Sequence, residues 1–224
     1  RSKSSLSWGA ADMAVPARAE MDGALFARMG PELAGKFKNA RVAVCGLGGL
    51  GSNIAFALAR AGVGELVLID FDRVDVSNLN RQQYKACQVG MDKPSALAEN
   101  LLEIAPYISL ETHFERVTAD NAAGLLRGAG VVCEAFDVPE EKSMLADAVL
   151  SSVPEAYLVA ASGMAGLGPA NSIRTRRIGR RMYLCGDGVS DVSTGLGLVA
   201  PRVMLCAAHQ ALAVLRILAG EFDV

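Results

Sequence analysis

Histidine is scarce in this chain: His113 and His209 are the only two among 224 residues. The cysteines number five, Cys45, Cys87, Cys133, Cys185 and Cys206, and none belongs to a C-x-x-C pair. A structural zinc centre of ordinary spacing therefore has no ligand set here. A surplus of either charge is missing too. Lys and Arg total 22 against 24 Asp and Glu, a net charge of −2, so the electrostatic footprint that holds nucleic acid or an anionic membrane is not expected. No apolar run reads as long enough to cross a bilayer. The N-terminus has no apolar stretch of the secretion-signal kind. Internal repeats and low-complexity tracts are also lacking. The thiols fit small buried hydrophobes in a reducing cytoplasm: Cys45 and Cys133 sit in apolar runs, Cys206 in an apolar helical pattern.

What is present is enough apolar residue for one core, 51% hydrophobic against 21% charged. Residues 1–20, rich in Ser and Ala, read as a mobile leader. Residues 21–224 read as a single domain. Met21 to Asn39 has helical spacing broken at Gly30-Pro31, which predicts two short helices. Arg41 to Cys45 and Glu65 to Asp70 read as buried strands flanking a helix from Asn53 to Ala61. A helix capped by Asp92 and carrying Pro94 in its first turn runs to about Ala105. Ile108 to Glu115 alternates as a strand, with Ile108, Leu110, Thr112 and Phe114 on one side. Asn121 to Arg127 is a short helix, Gly130 to Phe136 a strand, Glu140 to Leu150 a helix and Tyr157 to Ser162 a strand. This alternation predicts an α/β fold, a doubly wound Rossmann-like and mostly parallel sheet. Ile173 to Leu184, split by Gly179, reads as an antiparallel hairpin. A helix from Pro201 to Leu218, with a core stripe of Val203, Ala207, Ala211, Val214 and Leu218, closes the chain.

The richest stretch runs from Val42 to Lys93. Gly46-Leu47-Gly48-Gly49-Leu50-Gly51 fits G-x-G-x-x-G between a strand and a helix. Glycines at Gly46, Gly48, Gly49 and Gly51 permit the tight turn and a close approach of backbone to phosphate, and the helix N-terminus offers N–H groups and a positive dipole end. Asp70 ends the second strand, 19 positions past Gly51, where a carboxylate can accept from ribose hydroxyls. These features leave ATP and NAD(P) open.

The run that follows, Asp70-Phe71-Asp72-Arg73-Val74-Asp75-Val76-Ser77-Asn78-Leu79-Asn80-Arg81-Gln82, is one a plain dinucleotide fold has little need of. It resembles the D-x-D-x-V-x-x-S-N-L-x-R-Q signature of the ThiF/MoeB/ubiquitin-activating superfamily, which adenylates protein C-termini. The likeness extends more weakly to Gly220, through the Asp137 region and Gly197-Leu198-Val199-Ala200-Pro201. It implies ATP and Mg2+ as cofactors, with Asp70 on the ribose, Asn78 and Arg81 on the phosphates, Gln82 beside them and Lys93 on the triphosphate. Asp137 falls near the family's T-D-N aspartate, which handles magnesium; here the asparagine is replaced by Val138. The residue types suit the chemistry on their own account. A carboxylate attacking the α-phosphorus of ATP needs fixed cations around a polyanion; Arg81 offers a bidentate fork, Lys93 a point charge, and Asp72 or Asp137 a metal ligand.

The likeness also implies a homodimer in which an upstream arginine reaches the partner's site. Arg28 is the nearest candidate, with ordinary helix surface as the other reading. Cys185, in the loop-like Tyr183-Leu184-Cys185-Gly186-Asp187-Gly188, reads as the one cysteine outside a core pattern, either a sulfur-transfer thiol or an incidental one. Arg174, Arg176, Arg177, Arg180 and Arg181 read as a solvated edge or as a docking surface for an acidic carrier. With the zinc cysteines of many bacterial relatives missing, the chain looks most like the compact ThiF-like branch of thiamine thiazole synthesis. The expected partner is a small ubiquitin-like, ThiS-like sulfur carrier with a Gly-Gly tail. Rival readings are an NAD(P)-dependent oxidoreductase, a carboxylate-activating enzyme acting on threonylcarbamoyl-modified tRNA, and a non-catalytic carrier-binding module.

Overall fold

The computed structural model describes residues 14–191, 193, 195 and 197–223. Two helices lead into the sheet, and two residues set the break between them. The first helix, α1 (Arg18–Met29), stops at Gly30, whose φ of 83° turns the chain, and α2 (Pro31–Lys38) starts on Pro31. The end of the segment read as a leader is helical. Arg18, Ala19 and Glu20 already belong to α1, after an extended Ala17 and with Glu20 in the acid-favouring first turn. Residues 1–13 of that expectation lie outside the described residues.

The core follows the predicted alternation. In chain order it comprises β1 (Arg41–Cys45), α3 (Gly49–Arg60), β2 (Glu65–Asp70), α4 (Lys93–Ile104), β3 (Ser109–Phe114), α5 (Ala122–Leu125), β4 (Val131–Glu134), α6 (Pro139–Ser152), β5 (Tyr157–Ala161), β6 (Arg174–Ile178), β7 (Met182–Gly186) and α7 (Ala200–Ala219). The seven strands form one sheet in the order β3-β2-β1-β4-β5-β7-β6. All neighbours are parallel except β6 and β7, the predicted hairpin. Alternate side chains of β1 serve two cores. Val42 and Val44 pack with Ile54, Leu58, Leu97 and Val214 on the α3, α4 and α7 side; Ala43 and Cys45 pack with Leu145 and Val149 of α6 on the other. The strand order reverses at β1, so the carboxyl ends of β1, β2 and β4 open a crevice of the kind where doubly wound sheets bind ligands.

Three expectations change. α3 begins at Gly49 rather than Asn53, because the glycine loop itself forms its first turn. The strand read as Ile108 to Glu115 spans Ser109–Phe114, and the side shared by Leu110, Thr112 and Phe114 is only partly covered. On this edge strand, β3, Phe114 is 48% exposed, with the Arg73 guanidinium 5.4 Å from its ring centroid. α7 is, after all, long and apolar enough to cross a membrane by length and composition, with mean hydropathy 1.4. Half of it is buried against α3, β5 and β7, and it carries the buried polar residues Arg202 and Gln210. Those contacts make it the closing helix of the domain.

The arginine run divides by role. Arg181 caps the end of α6 by donating to the carbonyls of Leu150, Val153 and Ala156. Arg177 lies 5.8 Å from the Tyr183 and Phe222 ring centroids. Arg174, Arg176 and Arg180 remain exposed on and beside edge strand β6.

Candidate nucleotide-binding and active site

A cleft of about 770 Å³ opens at the carboxyl ends of β1, β2, β4 and β5. Gly46, Gly48, Gly49, Asp70, Asp72, Asn78, Arg81, Gln82, Lys93 and Asp137 all line it. Gly51 stands behind the loop, buried. Its missing side chain lets α3 close on β1: a Cβ there would lie 1.8 Å from the Gly46 carbonyl oxygen. Gly46 itself turns with φ 88°, the left-handed region that glycine occupies at no steric cost.

Asp70 organises the loop. Its Oδ2 accepts the Leu47 N–H at 2.6 Å and its Oδ1 the Asp72 N–H at 2.8 Å. Burial raises the pKa of this carboxyl, against the pull of Lys93 and of those two N–H groups. The Lys93 ammonium lies 2.6 Å from Asp72 and 3.8 Å from Asp70, with only 6% of its side chain exposed. The Lys93 N–H also donates to the Asp72 carbonyl. The lysine is thus held at the cleft wall as the first residue of α4, which Asp92 caps through the Ser95 N–H as predicted.

The polar run folds into short turns that fix Arg81. The Asn78 Oδ1 accepts the Asp75 N–H, and Asp75 accepts the Ser77 N–H in return. Arg81 Nη1 donates to the Ser77 carbonyl and to Asn80 Oδ1. Two polar atoms at this wall are buried without a hydrogen-bond partner among the described residues, Arg81 Nε and Gln82 Oε1. Orphaned groups of this kind in a cleft are explained by a bound ligand or solvent. Asp137 is exposed at the opposite rim, just before α6, with no hydrogen-bond partner among the described residues.

The structure adds residues that sequence reasoning missed. Tyr84 is buried and donates its hydroxyl to the Leu47 carbonyl at 2.8 Å, pinning the glycine loop from behind. Asn53 Nδ2 donates to the carbonyls of Gly49 and Arg81, and Gln83 Nε2 donates to Asn53 Oδ1. The phosphate loop and the arginine turn are therefore one hydrogen-bonded unit. At the cleft floor Lys142 donates to both oxygens of Glu134 and to the Ala161 carbonyl. Burial raises the Glu134 pKa, opposed by that ammonium. The only available signal was position: Gln83 and Tyr84 directly follow the polar run.

Two expected site residues lie elsewhere. Arg28 is exposed on α1 and lines a separate hollow of about 380 Å³, beside Gly64 and Ile108 at the starts of β2 and β3. That is the opposite end of the sheet from the cleft of its own chain. Cys185 is fully buried within β7 and close to Thr175 Oγ1, and burial pushes its thiol up to about 11, against that contact. The expectation of an exposed loop thiol fails because Cys185 alternates inward with Tyr183 on a short strand. Cys87 is the exposed cysteine, and all five are unpaired. A thiol-reactive dye on the native protein should therefore label one cysteine rapidly, and Cys87→Ser should abolish that phase. Rapid labelling of Cys185 would contradict the burial.

The far wall of the cleft is held by an ion pair. Arg202 Nη2 lies 2.6 Å from Asp187 Oδ2, and both side chains are 6% exposed. Burial would raise the Asp187 carboxyl, but the N–H groups of Ser190 and Val189 and the Arg202 guanidinium outweigh it and hold it at about 2. The unfolded value is about 3.9, so this stabilisation is complete above pH ~4 and lost as pH falls through about 2. Asp187→Asn should cost about 2 kcal/mol at neutral pH. In urea titrations the difference from the parent should shrink below pH ~4; a difference independent of pH would refute the assignment.

A doubly wound sheet with a glycine loop, an acid ending the second strand and cations on the elements that follow defines an α/β protein with its cleft at the topological switch point, where such sheets bind ligands. The ThiF family model matches residues 22–223, and the chain belongs to the ThiF family. Among curated proteins it is 31% identical over 194 residues to the adenylyltransferase and sulfurtransferase UBA4 of Yarrowia lipolytica, covering 83% of this chain and 48% of that one. It is 28% identical to the UBA4 of Lodderomyces elongisporus, covering 84% and 42%. The chain thus spans less than half the length of these relatives. Among solved structures it resembles the E. coli tRNA N6-threonylcarbamoyladenosine dehydratase TcdA in complex with ATP. The TM-score is 0.82 at 23% identity, over 93% of this chain and 98% of that one. It also resembles E. coli MccB with ATP, with TM-score 0.63 at 22% identity, over 85% and 58%. These likenesses agree in the fold.

Proposed function

We propose that the chain is an ATP-dependent adenylyltransferase that activates the C-terminal glycine carboxylate of a small ubiquitin-like sulfur carrier. The observation that carries this reading is the single cleft, in which the glycine loop, Asp70, Arg81 and Lys93 face one space and Arg81 Nε lacks a hydrogen-bond partner among the described residues. The ThiF membership and the adenylyltransferase names of the relatives support it. They favour ATP where the glycine loop and Asp70 alone leave NAD(P) open.

In this reading the carrier's carboxylate oxygen attacks the α-phosphorus of ATP. The bond to the bridging oxygen breaks, pyrophosphate leaves with the electron pair, and an acyl adenylate remains. Asp70 orients the ribose, while the loop N–H groups and the N-terminus of α3 face the phosphates. Arg81 takes up charge that develops on the leaving group, and Lys93, held beside Asp72 and Asp70 at the adjoining wall, is the second cation within the cleft. Asn78 and Gln82 supply neutral polar contacts. Positioning and fixed charge account for most of the acceleration, and no protein nucleophile is required. Among the described residues no cluster of three or more His, Cys, Asp or Glu could cage a metal. That suits Mg2+ carried in on the nucleotide and met by one or two carboxylates. Asp137, exposed and with no hydrogen-bond partner among the described residues, fits that role better than Asp72, which Lys93 engages. Bound there, magnesium would neutralise phosphate charge.

The finer parts of the reading are a place in thiamine thiazole synthesis, a reducing cytoplasm to suit the unpaired thiols, and a homodimer. An exposed stripe of Met204, Ala208 and Leu212 along α7 supports a second copy. Arg28, remote from its own cleft, could serve only a neighbour's. A second reading takes the threonylcarbamoyl carboxylate of a tRNA as the acceptor. The extent of the TcdA fold match motivates it; the net charge of −2 weighs against it. Intact mass spectrometry separates the two. With ATP and magnesium, a ThiS-like carrier ending in Gly-Gly should gain an adenylyl group, and a threonylcarbamoyl-modified tRNA should be unchanged. The reverse result would select the second reading, and neither product would favour a non-catalytic binding module.

A further inference from the structure

The two walls of the cleft differ in chemistry. The glycine-loop wall carries the cations Arg81 and Lys93, the latter beside Asp70 and Asp72. The opposite wall, formed by Ser162–Ala165 after β5 with Ser190 and Asp191 after β7, is made of small and polar residues apart from Met164, and its described side chains include one acid and no cation. Such a wall does not recruit phosphate. It suits an uncharged, extended stretch of chain whose terminal carboxylate reaches across toward the cations.

One residue holds this wall in place. Arg202, in the first turn of α7, donates from Nε to the Ala165 carbonyl, from Nη1 to the carbonyls of Gly168 and Pro169, and from Nη2 to Ser172 Oγ and Asp187 Oδ2. These contacts use all five N–H donors of a guanidinium, so none remains for a ligand. The loops are further stitched to each other. The Ala165 N–H donates to Ser190 Oγ, the Asp187 N–H to the Gly163 carbonyl and the Gly188 N–H to the Ser162 carbonyl. Burying a guanidinium is costly unless every donor is matched. Here the match joins two surface loops, which fixes their shape rather than that of the hydrophobic core.

We propose that Arg202 is a positioning residue for the second substrate: it sets the wall along which an extended, small-residue tail ending in a carboxylate lies, and it acts on that substrate and not on ATP. This rests on the adenylation reading above. A point-charge ammonium cannot replace the five-donor fork, so the conservative exchange to lysine is informative.

The test is steady-state carrier adenylation by the full chain, using a ThiS-like carrier ending in Gly-Gly, for the parent, Arg202→Lys, Arg202→Met and Ser172→Ala. Arg202→Met should raise KM for the carrier about 10- to 100-fold, the range expected from sub-ångström to ångström displacement. Its KM for ATP and its ATP dissociation constant should stay within about twofold, the pattern expected when an interaction with one substrate alone is lost. Arg202→Lys should fall between, and Ser172→Ala, which removes a single contact, should show a smaller shift in the same direction and covers the case in which Arg202→Met does not fold. Equal rises in both KM values, or an unchanged carrier KM in the folded Arg202→Lys and Ser172→Ala proteins, would overturn the inference while leaving the adenylation reading intact. A parent protein that adenylates no carrier would overturn that reading itself.

Discussion

Gly51→Ala should abolish the native glycine loop. A Cβ at this position would sit 1.8 Å from the Gly46 carbonyl oxygen, 2.9 Å from the Gly46 carbonyl carbon and 3.1 Å from Val44 Cγ1. The first two are backbone atoms of the phosphate loop and the third belongs to β1, so no flexible side chain can yield. Overpacking a tight core costs about 1–3 kcal/mol and sometimes more; displaced backbone places this substitution at or above the upper end. The expected result is a folded yield too low to purify, or a protein with a much lower thermal midpoint and no nucleotide binding. Gly48→Ala is the control. There the nearest atom is Gln82 Nε2 at 3.7 Å, ordinary contact, so the variant should fold. A Gly51→Ala protein with the parent's midpoint and ATP affinity would show that the loop is not packed as described.

Arg81→Ala should fold normally and lower adenylation by about 10- to 1,000-fold, the loss typical of removing one preorganised charge contact. Its anchors are local: Nη1 is held by the Ser77 carbonyl and Asn80 Oδ1, and the side chain is only partly buried, so truncation leaves the core untouched. Nε is buried without a hydrogen-bond partner among the described residues. The effect should fall on kcat more than on KM for ATP, since the interaction strengthens as charge moves to the departing pyrophosphate. Arg81→Lys should recover part of the loss by charge alone, but not the planar fork. Full activity in a folded Arg81→Ala protein would remove Arg81 from the mechanism. The same assay on Asp137→Ala tests the exposed acid, and the absence of any effect would exclude it as a metal ligand.

What was legible in the sequence was what short-range pattern encodes. The glycine loop and the Asp92 cap depend on neighbours within a turn or two, and Asp70 follows from the strand–loop–helix–strand spacing that returns it to the Leu47 N–H. The run from Asp70 to Gln82 carried its own local turns, so Asn78 and Arg81 arrived together at the cleft. What was not legible depends on distant partners. Tyr84 reads as one more polar aromatic until its hydroxyl meets the Leu47 carbonyl, 37 positions away. Arg202 reads as a stray charge in an apolar helix until two loops bring five acceptors to it. Cys185 misled because Gly186, Asp187 and Gly188 promise a loop; the strand runs on to Gly186 and turns the thiol inward. The helix expected from Pro201 to Leu218 covers nearly all of α7 (Ala200–Ala219); what the reading of apolar runs misses is that α7 is long and apolar enough to cross a membrane by length and composition. Its burial, with Gln210 donating to the carbonyls of Glu134 at the end of β4 and Val159 in the middle of β5, makes it part of the core.

The central claim is carboxylate activation in the cleft between the glycine loop and the Arg202-held wall. Exchange of labelled pyrophosphate into ATP reads its first step directly, because exchange requires a reversible acyl adenylate. Addition of a ThiS-like carrier ending in Gly-Gly should start the exchange, and the same carrier without its final two glycines should not support it. No exchange with a verified folded carrier, or an equal rate with the truncated one, would contradict the account.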